Sequence, residues 1–434
     1  MRRAASLIAA ALLAALLSGC FDAENLMQAP RPAVQYQRLQ GHIDALLANG
    51  YTYSAPLSGD HRQPVLMIDL TGNGDEEAVA FLRSSETEIA LAVFIPRDGD
   101  FIALPLLSEN AESVHSVAFH DLTGDGRLEI IVGWQVLPLR FISVYSLDDG
   151  GLTEIFTRPF SGQMVCDIED SGTPALLLIQ IDAETVEMVS FRGGELAAAC
   201  SAPLSRGAEA VRRLLSSPLL DGVPGFYVTS QYQTVTGEVT DVFSFRNGVL
   251  VNISVNMETG VSDLLVRHRE IPAADVNGDG VFDLPRQVEL ESHPEDFSGE
   301  IFYEIRWNSY ESGGLSSETA RTYHSTLHNW YILLPEQWPE RYSVRRASTA
   351  AQTVTTFSVL TDEEDPADFL KIYFLSQPAA DRPPVRGRTV LSEQSNQLVT
   401  AEIIPLRDGL TPFEMSEQEL KAIFHLDLIE WRSP

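Results

Sequence analysis

Three short stretches of the chain hold residue types at a spacing that can grip a hard cation. They read Asp69-Leu-Thr-Gly-Asn-Gly-Asp-Glu-Glu77, Asp121-Leu-Thr-Gly-Asp-Gly-Arg-Leu-Glu129 and Asp275-Val-Asn-Gly-Asp-Gly-Val-Phe-Asp283. Each has an acid at position 1, Thr or Asn at 3, Asn or Asp at 5, Gly at 6 and an acid at 9, with the position-7 backbone carbonyl between. Calcium takes about six to eight oxygens at about 2.3–2.6 Å in a flexible cage, and such a loop plus water supplies that number. The glycines permit the sharp turn that aims these oxygens inward. The competing reading is a set of Asx-turns that need no ion.

The elements that position these loops follow from their recurrence. Two weaker copies fill the gap between the second and third loops. Asp167-Ile-Glu-Asp-Ser-Gly172 keeps oxygens at 1, 3 and 5 but has Ala175 at 9, and Ser217-Pro-Leu-Leu-Asp-Gly222 keeps only Asp221 and the glycine. The position-6 glycines Gly74, Gly126, Gly172, Gly222 and Gly280 recur at intervals of 52, 46, 50 and 58 residues. Each period divides alike. In the first, strands are expected at Val65–Asp69, Glu77–Leu82, Ile89–Phe94 and Phe101–Pro105, with a turn at Arg97–Asp100. In the second they are expected at Ser116–Asp121, Glu129–Trp134, Phe141–Tyr145 and Leu152–Phe156. Four short antiparallel strands per ~50 residues make one propeller blade. The expected fold is therefore mainly β. It is a β-propeller of about five four-stranded blades within residues 51–328, with a sixth blade or closure by Tyr51–Ala55 left open. A small C-terminal α+β domain over 329–434 follows.

The loop resembles the first half of an EF-hand, but a strand precedes it and an apolar β-like run follows, as in Ile130-Ile-Val-Gly-Trp134. The stretch from about Val65 to Tyr310 instead resembles the FG-GAP/VCBS repeats, the calcium-loop propellers typified by integrin α-chain heads. Phe119 to Trp134 matches that pattern closely. The resemblance implies calcium between the first two strands of some blades. By position the ligands would be Asp69, Thr71, Asn73, Asp75 and Glu77; Asp121, Thr123, Asp125, Arg127 (through its carbonyl) and Glu129; and Asp275, Asn277, Asp279, Val281 (through its carbonyl) and Asp283. The Thr hydroxyl at position 3 is expected to weaken the first two sites relative to the third, which has the Asn277 amide oxygen there. The Asp167 and Ser217 copies keep only the turn. Affinity is expected in the extracellular range, of order 10⁻⁴–10⁻³ M.

The first twenty residues, MRRAASLIAAALLAALLSGC, combine Arg2 and Arg3 with a short apolar run. This is secretory-signal architecture over residues 1–19. Leu17-Ser-Gly-Cys20 looks like a bacterial lipobox, which makes Cys20 the lipidation site and anchors the chain to a membrane of the bacterial cell envelope, outside the cytoplasm. Residues 20–34 would form a polar tether with Pro30 and Pro32. A short helix is expected at 35–50, where Leu39, Ile43, Leu46 and Leu47 share a face and Asn49-Gly50 supplies a stop.

Composition narrows the partners. Across 434 residues, 30 Lys plus Arg face 61 Asp plus Glu, a formal net charge of −31. That surplus repels phosphate backbones, so nucleic acid is excluded. The 44 % apolar share is ample for proper cores. Cys20, Cys166 and Cys200 are too few for a disulfide framework, and two buried thiols at 166 and 200 are expected ahead of a disulfide.

In the C-terminal region, Trp330–Trp338 and Tyr342–Val344 read as strand, turn, strand, and further strands are expected at Thr355–Leu360, at Phe369–Phe374 and at Leu398–Ile404. Ser416-x-x-Glu419 is a capping box opening a helix whose Leu420, Ile423 and Phe424 share a face. No zinc-protease, nucleophile-elbow, Cys-x-x-Cys or phosphate-loop motif is present. His324 and His328 are read as surface histidines, and Trp134, Trp307, Trp330 and Trp338 as core packing ahead of a sugar platform. The function expected is a non-enzymatic, calcium-stabilised module that binds a protein or glycan at the envelope. The alternative is a polysaccharide hydrolase with its site in a propeller cleft.

Overall fold

A computed structural model describes residues 34–148, 151–232, 237–266, 271–296, 299–325, 327–336, 338–350, 352–360, 365–378, 382, 387–406 and 415–426. The signal segment, Cys20 and the tether lie outside the described residues. The fold is mainly β and is built from several antiparallel sheets. It divides into two compact units. One comprises Met1–Ala118, Val132–Pro138 and Tyr145–Thr153; the other comprises Phe119–Ile131, Leu139–Val144 and Glu154–Pro434.

The first unit opens with helix α1, Val34–Ala48, which ends where Gly50 adopts φ 98°. Its apolar stripe buries Leu39 and Ile43 against Ala78, Ala80, Leu82, Ala92, Phe94 and Phe101. Each such side chain contributes about 1.5–3 kcal/mol. The sheet beneath runs Thr52–Tyr53, Glu77–Ser85, Glu88–Arg97, Asp100–Ala103. Val65–Ile68 adds to Glu77–Ser85 and Leu107–Glu109 to Glu88–Arg97. Asp98 and Gly99, at φ 51° and 73°, make the tight hairpin that joins Glu88–Arg97 to Asp100–Ala103. The Tyr51–Ala55 segment thus joins the first sheet, pairing Thr52 with Arg83. Glu77–Leu82 is buried without alternation because both faces of this strand are covered.

The next sheet is a four-stranded meander of Ser113–His120, Glu129–Val136, Leu139–Asp148 and Gly151–Pro159. The second unit repeats the pattern twice more. One meander is Gly162–Cys166, Ala175–Gln180, Thr185–Arg192 and Glu195–Pro203; the next is Ala208–Pro218, Pro224–Tyr232, Glu238–Arg246 and Val249–Asn252, with Leu265–Val266 paired onto Glu238–Arg246. A two-residue hairpin, Val255–Asn256 with Val261–Ser262, follows. Strands and acidic turns alternate here as the repeat requires.

The fifth sheet corrects the expected boundary at 328/329. It runs Leu284–Glu289, Tyr303–Tyr310, Ser316–Ser325, Trp330–Leu333, Phe424–Leu426 and so takes two strands from the expected C-terminal domain. The physical reason is one shared core. Tyr323, Trp330, Ile332, Phe357, Phe369, Leu420 and Phe424 pack in a single cluster. The last sheet runs Tyr342–Ser348, Gln352–Val359, Ala367–Leu375, Leu398–Ile403, Thr389–Glu393. Helix α2, Glu417–Ile423, begins at the capping box of Ser416 and Glu419.

Candidate functional site

The acidic loops fold as carboxylate-clamped turns. In Asp121–Glu129, Asp121 Oδ1 accepts from Gly124 N at 2.6 Å and Asp125 N at 3.2 Å, and Oδ2 accepts from Gly126 N at 2.8 Å. Asp125 Oδ1 in turn accepts from Arg127 N at 2.9 Å. In Asp69–Glu77, Asp69 accepts from Asn73 N and Gly74 N at 3.1 and 2.8 Å. Asp275 does the same for Gly278 N, Asp279 N and Gly280 N at 2.7–3.0 Å. Gly74, Gly126 and Gly280 sit at φ 85–90°, where a side chain is strained.

Position 9 turns inward in all three loops. Glu129 is fully buried, its Oε2 taking Leu122 N at 2.7 Å and its Oε1 the Thr123 hydroxyl at 3.4 Å. Glu77 repeats this with Leu70 N at 2.8 Å and the Thr71 hydroxyl at 3.4 Å. Burial pushes both carboxyls above their ordinary range; the backbone amides of Leu70 and Leu122 oppose it only in part. Asp283 has a shorter arm. It accepts from Val276 N at 2.8 Å, from Thr319 Oγ1 at 2.7 Å and from Ser309 Oγ.

The weaker copies show which contacts belong to the turn itself. Asp167 still takes Ser171 N at 2.9 Å and Gly172 N at 2.7 Å, though Ala175 replaces the position-9 acid. In the Ser217 copy, Asp221 is diverted to the amide and hydroxyl of Ser312.

The donor chemistry of the three strong loops is all oxygen and suits calcium, not zinc or copper. Position 1 is half-buried, position 5 exposed and position 9 buried. Among the described residues no group of three or more His, Cys, Asp or Glu is arranged to hold a metal. Each loop is a turn already closed by its own backbone amides.

Other expected residues fall elsewhere. His324 and His328 are not surface histidines. Strand Ser316–Ser325 carries His324 inward, where it is 7 % exposed, stacks on Tyr331 at 5.2 Å and shares a 2.9 Å hydrogen bond with Thr322 Oγ1. His328 stacks on Phe374 at 3.8 Å, and burial holds its imidazole below the usual range. Trp134, Trp307, Trp330 and Trp338 are core residues, each at most 2 % exposed. Cys166 and Cys200 are free thiols on opposite edge strands of one sheet. Three strand spacings of about 4.8 Å separate them, far beyond the reach of a disulfide. Burial pushes the Cys166 thiol up to about 11.

Three features have no signal in the sequence motifs. Glu304, 1 % exposed, is held by Arg306 Nε at 2.9 Å, by Arg321 Nη2 at 2.6 Å and by the Tyr342 hydroxyl at 2.8 Å. Buried Asp241 accepts from Ser205 N and Oγ at 3.0 and 2.7 Å and from Asn252 Nδ2 at 2.9 Å. Near it opens a cavity of about 440 Å³ lined by Tyr232, Thr259, Val261, Ser262, Asp263, Leu265, Gln287, Glu289 and Tyr303. These residues come from separate strands and one hairpin, so no linear pattern marks them.

No protein-family model matches the chain. No curated protein matches it either. Solved structures do align loosely. A protein from Lactobacillus plantarum is 8 % identical with a TM-score of 0.31, covering 73 % of this chain and 97 % of that one. Two proteins that bear a provisional 6-phosphogluconolactonase label come from Bacteroides uniformis and Bacteroides fragilis. They are 12 % and 10 % identical, each with a TM-score of 0.30. They cover 68 % and 73 % of this chain and 80 % and 92 % of theirs. Superpositions this loose assign neither fold nor activity to this chain.

Proposed function

We propose that the chain is a β-propeller binding module of the bacterial envelope, tethered through a lipid on Cys20, and that its repeated acidic loops are reinforced by calcium. The observation behind this reading is the placement of the informative polar residues. They recur at the same turn of successive sheets and clamp backbone amides, as a scaffold requires, and do not gather in one unrepeated cluster. A repeated scaffold presents loops, and loops on rigid sheets are where binding surfaces reside. Calcium would be held by the acids at positions 1 and 9 with the side-chain oxygens at positions 3 and 5, and would tie together segments that backbone amides now join. The ligand class is a glycan or a protein.

One observation favours the second reading, a polysaccharide hydrolase: Asp263 and Glu289 line a single cavity. A panel of immobilised polysaccharides separates the two. Retention without new reducing ends is expected for the binding module. Reducing ends that disappear in Glu289→Gln would establish the hydrolase and overturn the module.

A further inference from the structure

The cavity in the second unit is built by a chain of buried contacts. Asp241 holds Ser205, whose hydroxyl accepts from Ser262 N at 2.8 Å and so pins the small hairpin Val255–Ser262. Asn256 closes the hairpin turn by taking Glu258 N at 2.9 Å, and Gly260 N returns to Asn256 O at 2.8 Å. Gly260 is at φ 71°, where a side chain is strained, and it packs against the Arg206 side chain, which an added Cβ would meet at 2.9 Å. The hairpin delivers Thr259 and Asp263 to one wall. The opposite wall is a strand pair in which Glu289 sits directly across from Tyr303, with Gln287 two residues back on the same face. Tyr232 completes the lining from the end of its strand.

The chemistry of this lining is one-sided. Two carboxylates, two phenol rings, hydroxyls and an amide face the space, and among the described residues none of its lining side chains is cationic. An anionic ligand is repelled there. A neutral ligand gains hydrogen bonds alone. A cation gains charge-assisted hydrogen bonds from the carboxylates and attraction to the tyrosine faces. The volume is that of a small-molecule site, which spans about 300–1,000 Å³.

We propose that this cavity binds a protonated amine, with Asp263 and Glu289 as its counter-charges and Tyr303 and Tyr232 as its aromatic walls. The amine is carried by an amino sugar or by a free polyamine, which share this chemistry. The inference rests on the binding-module reading in treating the cavity as a ligand site, and it is independent of calcium.

Titration calorimetry on the purified protein tests it, with glucosamine and spermidine as probes and N-acetylglucosamine, glucose and glucose 6-phosphate as controls. Saturable binding of at least one amine is expected, with the acetylated, neutral and phosphorylated compounds at least about tenfold weaker, the worth of one charge-assisted contact. Asp263→Asn and Glu289→Gln are each expected to weaken amine binding about five- to tenfold, and raised salt to weaken it further. Both carboxylates are exposed, so the variants are expected to fold, as an unchanged circular dichroism spectrum verifies. Glucosamine bound ahead of spermidine identifies the amino sugar, and the reverse order identifies the polyamine. Absence of binding by either amine, equal binding of N-acetylglucosamine, or unchanged affinity in both variants overturns the proposal. If amine binding fails while polysaccharide retention persists, the cavity assignment falls and the module reading stands.

Discussion

Glu129 and Glu304 are both buried glutamates, yet the protein pushes their protonation in opposite directions. Glu129 closes an acidic turn, where it accepts from the neutral donors Leu122 N, Thr123 N and the Thr123 hydroxyl. Burial outweighs them and raises its carboxyl above the ordinary range, aided by Asp125 and Asp121 nearby. Glu304 sits where the fifth and sixth sheets share a core. Burial acts against its charge too, but hydrogen bonds and charge from Arg321, with Tyr342 and Arg306, outweigh that and hold its carboxyl below the ordinary range. Amides and hydroxyls offset the desolvation of a carboxylate only in part, whereas a bidentate guanidinium reverses it. The Glu304 region thus already has its cations.

The largest effect is expected at Glu304. Glu304→Gln leaves Arg321 and Arg306 facing a neutral amide, and breaking such a buried pair costs about 3–5 kcal/mol in chemical denaturation. The same contact sets an acid limit. Because the folded carboxyl is held below its unfolded value, its contribution is complete above about pH 4.5 and is lost as pH falls through the folded value. The wild type should lose stability steeply on that acid limb, and Glu304→Gln should lose less. Parallel acid limbs would mean that Arg321 does not hold the charge.

Next comes Glu129. Glu129→Ala orphans Leu122 N in a buried turn and should cost about 1–3 kcal/mol. Glu129→Gln keeps an acceptor and should cost under half of that in EDTA. Equal losses in the two variants would show that charge, not hydrogen bonding, matters at position 9 without metal.

Calcium tests the comparison at smaller scale. With a Kd near 1 mM, 10 mM calcium adds about 1.4 kcal/mol per loop through mass action. EDTA should lower the melting temperature and calcium restore it, and Glu129→Gln should lose part of the increment. A melt indifferent to calcium and EDTA, with no calcium found by metal analysis, removes the metal from the proposed function and leaves the turns as self-sufficient.

The legibility of these regions differs for a physical reason. The turns were readable because their hydrogen bonds join residues two to seven apart, so spacing alone encodes them. Sheet strands are readable because central ones are apolar with little interruption, as in Ala78–Leu82. Glu304 was not readable, since its partners lie 17 and 38 residues away and Arg321 looks like any exposed arginine in sequence. His324 was misjudged because an i, i+4 spacing says nothing about the burial of a strand face. The 328/329 boundary failed likewise, since Phe424–Leu426 pairs with Trp330–Ile332 across some ninety residues and leaves no local mark.

The smallest expected effect separates turn from site within the repeats. Asp167 retains the position-1 contacts to Ser171 N and Gly172 N, while Ala175 at position 9 is 2 % exposed and apolar. Asp167→Ala should cost only about 1 kcal/mol, the worth of a partly exposed capping contact, and should do so equally in calcium and EDTA. Asp121→Ala removes the same kind of contact from a loop that also has Glu129, so its cost should exceed that of Asp167→Ala in calcium and approach it in EDTA. Equal calcium dependence at the two positions would place the metal's hold in the glycine turn that both loops share. Calcium dependence confined to Asp121 would place it in the pairing of positions 1 and 9, which only the complete loops possess.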